Sequence, residues 1–399
     1  MSLEVLTELL GLAEVSVVGY ELPDAERLIL DIEIRRPAAT CPTCGEVSTA
    51  VHSCGKRRTV RDLDVWGRQC YLRYVPRQFT CRQCQDTFVE RLPWLGPHRH
   101  QTQRFAEQVY QLVGRTNVTE AALHYRLSTD RVASIFERLA HQQVLARGYP
   151  RVRVLNVDEI AAHKGQGNYR LVLSSPEVGV LEVLADRHKA TFEAWLAARG
   201  PEWCAAVEEF HADMWRPYHE VARDYFPNVP TTTADHFHVI KNLTKALSEI
   251  RKAIQRQADA ATREMLKGSR WLLLKNPEQL SATEHEHLAT LLESVPEVAH
   301  NYHLKEDFRA LYALRDPQAA AQQLEHWLAK AKAVGHAKLQ SFITTVENWQ
   351  AEILSFFTSR GSNAFAEGVN NKIKLVLRRA FGCPNFTHFR LRIMVAFSP

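Results

Sequence analysis

Two CxxC pairs, Cys41-Pro42-Thr43-Cys44 and Cys81-Arg82-Gln83-Cys84, constrain this chain more than any other local feature. Each pair lets two thiolates reach one ion from a tight turn. Two such turns complete a closed, structural, tetrahedral zinc site. The chain between them must therefore leave the site and come back. The intervening stretch exceeds the usual ribbon spacing, and a β-hairpin insert accounts for it. Within it, RRTVRDLDVWGRQCYLRYVPRQFTC reads as strands, with Trp66-Gly67 as a turn, and runs straight into the second pair. Upstream, VVGYELPDAERLILDIEIRR reads as two strands around a turn at Pro23-Asp24. Eight cysteines raise the question of disulfides, but an intracellular chain keeps its thiols reduced, so metal binding is the expectation. His52 and Cys54 are spare donors that the site does not need. Cys70, Cys204 and Cys383 read as core cysteines.

A chain of 399 residues implies two to four units. No apolar stretch reaches the ~18–20 residues that span a bilayer. The start, MSLEVLTELLGLAEV, lacks the basic residues and small-residue cleavage site of a signal peptide. A cytoplasmic protein that engages no membrane is expected. Charge is unevenly spread. Between Arg35 and Arg104, Lys and Arg outnumber Asp and Glu by 13 to 5, an excess larger than the chain's net +5. That basic segment, with Arg57 and Arg58 in it, favours phosphate backbones through counterion release.

Residues 101–148 read as three helices. QTQRFAEQVYQLV sets Phe105, Val109, Leu112 and Val113 on one side. Thr119 or Asn117 can cap a short second helix, and Thr129 or Ser128 the third. The third would point Asp130, Arg131, Ser134 and Arg138 outward and Val132, Ile135, Phe136 and Leu139 inward. An outward polar face is what a recognition helix in the major groove needs, so Arg131, Ser134 and Arg138 are candidate contacts to double-stranded DNA.

From residue 152 the pattern changes. VRVLNVDEI, NYRLVLSS and GVLEVLADR read as consecutive strands, ATFEAWLAARG as a helix, AAVEEFHAD as a fourth strand and VPTTTAD as a fifth. Residues 238–357 read as almost wholly helical. Asp158 and Asp213 each end an apolar run, and Glu367 sits on a late helix with Asn371, Lys374 and Arg378 on its polar side and Val369, Ile373, Val376, Leu377 and Ala380 on the other. Carboxylates from distant segments can hold hard divalent ions, and two such ions support phosphodiester chemistry. Strand-Asp, two strands, helix, strand-Asp, helix, strand is the order of a ribonuclease-H-like fold. Glu159, Glu208, Glu209 and Asp235 are rival carboxylates. His236 and His238 read as structural or DNA-contacting rather than metal-binding.

These residues carry a resemblance. CPTCG, RRTVRDLDVWGR and FTCRQC resemble the zinc module of insertion-sequence transposases of the ISL-three family. NVDEIAAHKG and DMWRPYHEVARDYFPNV resemble its first and second aspartate motifs. DHFHVIKNLTKAL and SNAFAEGVNNKIKLVLRRAFGCPNFTHFRLRI resemble the later ones. The resemblance covers nearly the whole chain. It implies an α+β multidomain protein: an N-terminal β and zinc-binding domain (1–97), a helix-turn-helix domain (98–150), and a ribonuclease-H-like α/β catalytic core (151–240 and 358–399) interrupted by an all-helical insertion (241–357). It further implies that Asp158, Asp213 and Glu367 bind catalytic Mg2+ or Mn2+, and that Cys41, Cys44, Cys81 and Cys84 bind structural Zn2+. Lys372 and Lys374, with Arg378 and Arg379, are candidates for holding DNA near the carboxylates. The implied activity is transposition by strand cleavage and strand transfer, by a homodimer on DNA. A non-catalytic DNA-binding regulator and a structure-specific nuclease of the same fold are the alternatives.

Overall fold

A computed structural model of the chain describes residues 2–96, 99–161, 169–359, 364–383 and 385–398. Pro97, expected to close the first domain, and the Ala162–Gly165 end of the NVDEIAAHKG motif lie outside the described residues. The chain forms two compact units, residues 1–143 with 379–381, and residues 144–378 with 382–399.

The first unit opens with α1 (Leu3–Leu10), β1 (Val15–Glu21), β2 (Arg27–Ile34), β3 (Ala39–Thr40), β4 (Val47–Ser48), β5 (Val51–Cys54), β6 (Arg58–Arg61), β7 (Gln69–Tyr74), β8 (Arg77–Thr80) and β9 (Thr87–Val89). The order β1-β2-β7-β6 makes one sheet. Its central strands β2 and β7 alternate as a half-buried sheet must: β7 buries Cys70, Leu72 and Tyr74 and half-exposes the residues between them. Leu6 and Leu10 of α1 join Leu28, Leu30, Val60 and Leu72 in the core beneath it. The expected turns fall at residues 22–26 and at Trp66-Gly67, where both residues take positive φ. Two small sheets, β3-β4 and β5-β8-β9, carry the cysteine turns.

Three helices follow: α2 (Gln103–Arg115), α3 (Val118–Tyr125) and α4 (Thr129–Arg147). Of the two candidate caps for α3, Asn117 does the work, its side chain accepting from the Glu120 N–H at 2.9 Å. Arg126, in the left-handed conformation, ends α3 and makes the turn. Ser128, not Thr129, caps α4 by accepting from the Arg131 N–H. Phe105, Val109, Val113, Tyr125, Val132, Ile135 and Phe136 are buried, and Phe105 meets Tyr125 edge-on at 5.3 Å. Leu139, expected inside, is only half-buried.

The second unit contains β10 (Val154–Ala161), β11 (Tyr169–Ser175), β12 (Gly179–Leu184), α5 (Lys189–Ala197), α6 (Pro201–Cys204), β13 (Glu209–Ala212), α7 (Arg216–Tyr225) and β14 (Thr233–Ala234). The sheet order is β12-β11-β10-β13-β14. β12, β11 and β10 are antiparallel neighbours, whereas β10, β13 and β14 run parallel. One face is apolar: Leu155, Val157, Phe210 and Ala212 pack against Phe192, Trp195 and Leu196 of α5 and Tyr218 and Val221 of α7. Burying that face against two helices is what the Val/Leu-rich runs require. The fifth strand is shorter than VPTTTAD suggests, because Asp235 leaves the sheet to cap the next helix.

The remaining described elements are helical apart from one 3-10 turn: α8 (His236–Gln257), α9 (Ala260–Leu266), α10 (Arg270–Leu274), α11 (Ala282–Ser294), α12 (Pro296–Leu311), α13 (Pro317–Val334), α14 (Ala337–Asn348), α15 (Gln350–Ser359), α16 (Ala364–Arg379) and α17 (Phe386–Ala396). Phe308, Leu324, Trp327 and Phe342 sit at the centre of a core shared by α8 and α12 to α15. Among the described residues no helix is long and apolar enough to cross a membrane.

Candidate active site and metal centres

Register builds the acidic site. Val157 of β10 pairs with Ala212 of β13, and Ala212 pairs with Ala234 of β14. The next residue on each strand path is an aspartate: Asp158, Asp213 and Asp235. Side chains alternate along strands, so these three follow a polar row, Asn156, His211 and Thr233, on the face opposite the apolar core. The sequence reading sets Asp158 at a strand end. The strand in fact continues to Ala161, because β10 pairs with β11 over its whole length. Its parallel pairing with β13 stops at Val157, so Asp158 still lies at an open edge.

Helix α16 completes one side. Asn370 is buried and donates from Nδ2 to Asp158 Oδ2 at 2.7 Å. Glu367 lies one turn earlier and Lys374 one turn later, so the three form an i, i+3, i+7 stripe. The Lys374 charge favours the Asp158 carboxylate, and the Glu367 charge acts on His238. Glu367 itself is exposed. The polar face expected on this helix names Asn371 rather than Asn370. Asn371 points to solvent, and the helical phase brings its neighbour inward.

On the other side, His238 Nδ1 stands 3.0 Å from Asp213 Oδ2 and its Nε2 3.9 Å from Asp235 Oδ2. Ligand atoms of Asp213, Asp235 and His238 all lie within 4.8 Å of one another. Reading His238 as structural or DNA-contacting missed this placement. Its signal is the three-residue step after Asp235, which caps α8 and so returns His238 over the cap within one turn. His219 fixes the Asp213 backbone: Nε2 donates to the Asp213 carbonyl at 2.9 Å, leaving Nδ1 to accept from Thr232 at 2.6 Å. Burial keeps His219 and His238 below the usual histidine range.

Burial, followed by the charges of Asp158, Asp235 and Glu159, pushes the Asp213 carboxyl up to about 8. Burial, aided by Asp235 and Glu159 and opposed by the Glu159 N–H and Lys374, pushes Asp158 up to about 6. Like charges drawn together at a desolvated edge outweigh the nearby charges of Lys374 and Lys241. Asp213 Oδ1 and Asn370 Oδ1 are buried with no hydrogen-bond partner. The Asp213, Asp235 and His238 ligand atoms, with an orphaned Asp213 oxygen among them, are a donor set for a hard cation such as Mg2+ or Mn2+, so the residues present fit one.

The rival carboxylates have other partners. Glu159 accepts from Tyr218 Oη at 2.8 Å and pairs with Arg187 at 3.1 Å. Glu208 pairs with Arg153, and Glu209 with His211. Of the four, only Asp235 joins the cluster. Lys241, unmarked in the sequence reading, puts its charge near Asp213 and His238. Lys372, a DNA candidate, is exposed and lies over the Phe397 ring at 4.2 Å.

The four cysteines of the first unit converge as expected. Cys41 Sγ is 3.6 Å from Cys84 Sγ, and Cys44 Sγ is 3.5 Å from Cys81 Sγ. The two turns match: the Cys41 N–H donates to the Glu46 carbonyl and the Cys81 N–H to the Asp86 carbonyl, each at 2.8 Å. The residue after each pair, Gly45 or Gln85, has positive φ. With ~2.3 Å Zn–S bonds, sulfurs at such spacing sit on the corners of a tetrahedron. Burial raises the Cys41 thiol, but the Cys44 and Thr43 N–H groups and neighbouring thiols outweigh it and bring Cys41 to about 7. Cys84 goes the other way, to about 12: its Asp86 N–H favours the thiolate, and burial plus the other three thiols outweigh that. Cys41 thus ionises more readily than Cys44 or Cys84.

The DNA candidates in the first unit divide. Ser134 and Arg57 are exposed. Arg58 donates to the Arg99 carbonyl at 2.8 Å, and Arg131 to Gln101 Oε1 at 2.9 Å. Arg131 and Arg138 are half-buried rather than outward, because the strand-to-helix linker at residues 99–101 packs beside α4 and draws both inward.

A metal-capable acidic edge, a cysteine zinc ribbon and a helix-turn-helix together define a DNA-processing protein. Comparison with known proteins says which kind. Residues 155–393 match the ISL3 transposase model, residues 90–140 the helix-turn-helix domain of transposase family ISL3, and residues 37–84 the zinc finger of transposases IS204, IS1001, IS1096 and IS1165. The chain belongs to the ISL3 family of insertion-sequence transposases. It is 28% identical to the transposase for insertion sequence element IS1001 of Bordetella parapertussis, over 96% of this chain and 95% of that protein. It is 25% identical to the transposase for insertion sequence element IS1557 of Mycobacterium tuberculosis (strain CDC 1551 / Oshkosh), over 90% of this chain and 86% of that one. The zinc-finger match falls on the four clustered thiols and supports structural zinc there.

Proposed function

We propose that the chain binds the terminal inverted repeats of an insertion sequence and catalyses strand cleavage and strand transfer at the edge formed by Asp158, Asp213 and Glu367. The register of Asp158 with Asp213, joined by the Asn370 hydrogen bond from the Glu367 helix, carries this reading. The domain scheme is a ribonuclease-H-like core in residues 151–240 and 358–399, with 241–357 as its helical insertion. Residues 1–97 and 98–150 are the zinc and helix-turn-helix domains, and DNA contacts run through Arg57, Ser134 and Lys374. The protein acts as a dimer on DNA in the bacterial cytoplasm, since each protomer holds one end.

Bound Mg2+ or Mn2+ would supply Lewis-acid activation of the attacking oxygen and stabilisation of the leaving one. The chain's own residues prepare for that charge. Asn370 fixes one Asp158 oxygen, and His238 and the His219-held backbone orient Asp213. Asp235 at the cap of α8 and His238 in its first turn support Asp213. Lys374 and Lys241 attract the phosphate to the acidic edge. In cleavage, a water oxygen bonds to phosphorus and the bond to the 3′ oxygen breaks, freeing a 3′-hydroxyl. In transfer, that hydroxyl attacks a target phosphodiester and displaces the target strand's own 3′ oxygen. Both steps are in-line phosphoryl transfers.

The test is incubation with Mg2+ and labelled duplex carrying the element's own ends. Joined products from the parent, absent in Asp158→Ala, support the reading. Binding without products marks a regulator, and equal cutting of unrelated duplex marks a nuclease; either outcome overturns it.

A further inference from the structure

The first unit holds a basic cavity that the helix-turn-helix does not explain. It has a volume of about 660 Å3 and is lined by residues of α2 and α4 together with Gly96, Arg99, Gln101 and Thr102. Trp94 and Leu139 give it an apolar lining, and Arg99, Arg104 and Arg138 enter it. Arg104 is already satisfied: it forms a two-pronged pair with buried Asp62 and donates to the Leu10 carbonyl. Arg99 and Arg138 are different. Among the described residues neither pairs with a carboxylate, and burial and the Arg99 charge both disfavour the Arg138 cation. Glu107, the one acidic residue lining the cavity, accepts instead from Gln111 on its own helix. The Arg99 backbone is fixed, since Arg58 donates to its carbonyl and Arg61 and Arg131 both bond the His100 carbonyl. Two guanidinium groups lining one cavity, one disfavouring the other's charge, raise the energy of the free protein, and a bound anion removes that cost. Guanidinium forks suit phosphate oxygens in particular.

We propose that Arg99 and Arg138 form a seat for a phosphodiester of the DNA backbone, so that Arg138 positions the duplex and reads no base. This rests on the DNA-binding reading above. Phosphate contacts set register and orientation without carrying sequence information. The seat lies on the side of α4 that packs against the linker, and exposed Ser134 on the same helix remains for base edges.

Fluorescence anisotropy of the full, zinc-loaded chain across a salt series tests it, using element-end duplex and random duplex of equal length. Arg99→Gln and Arg138→Gln should each weaken both duplexes by the same factor, about tenfold. Each should also lower the slope of log affinity against log salt by about one, while Arg138→Lys keeps the slope. Arg99 is exposed, so Arg99→Gln keeps the test open if Arg138→Gln fails to fold. An unchanged slope in Arg99→Gln overturns the proposal, as does loss on the element-end duplex alone. If inorganic phosphate stabilises the parent but neither variant, while DNA affinity is untouched, the cavity serves a free anion and the proposal also fails. If the parent binds no duplex, the DNA-binding reading itself falls and takes the seat with it.

Discussion

Asp213→Asn should stabilise the cation-free protein at alkaline pH. The folded carboxyl is raised to about 8, against an unfolded value of about 3.9. Between those values the native state holds the proton more tightly than the unfolded chain does. Its contribution to stability is therefore complete below about pH 4 and is lost as pH rises through 8. At about 1.4 kcal/mol per factor of ten the full span comes to roughly 6 kcal/mol. Asp158 is both a cause and a sharer of this shift, so the pair is counted once. The Asp213 side chain is 23% exposed, and water at that edge reduces the effect to about 3 kcal/mol. Asparagine keeps the shape and does not titrate. In zinc-loaded protein free of Mg2+ and Mn2+, urea unfolding followed by tryptophan fluorescence should find the variant near the parent at pH 4, with the gap opening as pH rises. At pH 9 the variant should be more stable by about 3 kcal/mol. Added Mg2+ should stabilise the parent at pH 8 and leave the variant unmoved. A variant-minus-parent difference that stays flat from pH 5 to 9 refutes the reasoning.

Three further outcomes are expected. Asn370→Ala removes the hydrogen bond to Asp158 and should weaken divalent-cation affinity about 10–100-fold; titration calorimetry showing unchanged affinity contradicts this. Cys41→Ser/Cys81→Ser takes one thiol from each turn and should abolish stoichiometric zinc measured by elemental analysis; a full equivalent retained sinks the assignment. Phe105→Ala empties a fully buried site beside Tyr125 and should cost about 3–5 kcal/mol, seen as early melting of the first unit; a change within about 0.5 kcal/mol means that the three-helix core is packed otherwise.

Much of the fold was legible because its signals are local. Alternation marks β7 and β10, and the cysteine spacing marks two turns that must meet. Asp158, Asp213 and Glu367 could be picked out as residues on strand paths and a helix. What the linear pattern hides is pairing. Only the register, with Val157 opposite Ala212 and Ala212 opposite Ala234, reveals that Asp235 belongs beside Asp158 and Asp213. Helical phase hides the choice between Asn370 and Asn371, since both lie near the boundary of the polar face. Arg131 and Arg138 read as outward on an isolated helix, but the linker packed beside α4 was invisible from that helix alone. The contact of Lys372 with Phe397 was likewise hidden, since Phe397 lies far along the chain.

Anomalous diffraction from crystals soaked in Mn2+ tests the core of the account most directly. A manganese peak within bonding distance of Asp158, Asp213 and Glu367 carboxylate oxygens, ~2.0–2.4 Å away, is the result expected. A fully soaked crystal with no manganese at that edge, or with the three carboxylates turned to separate surfaces, would contradict it.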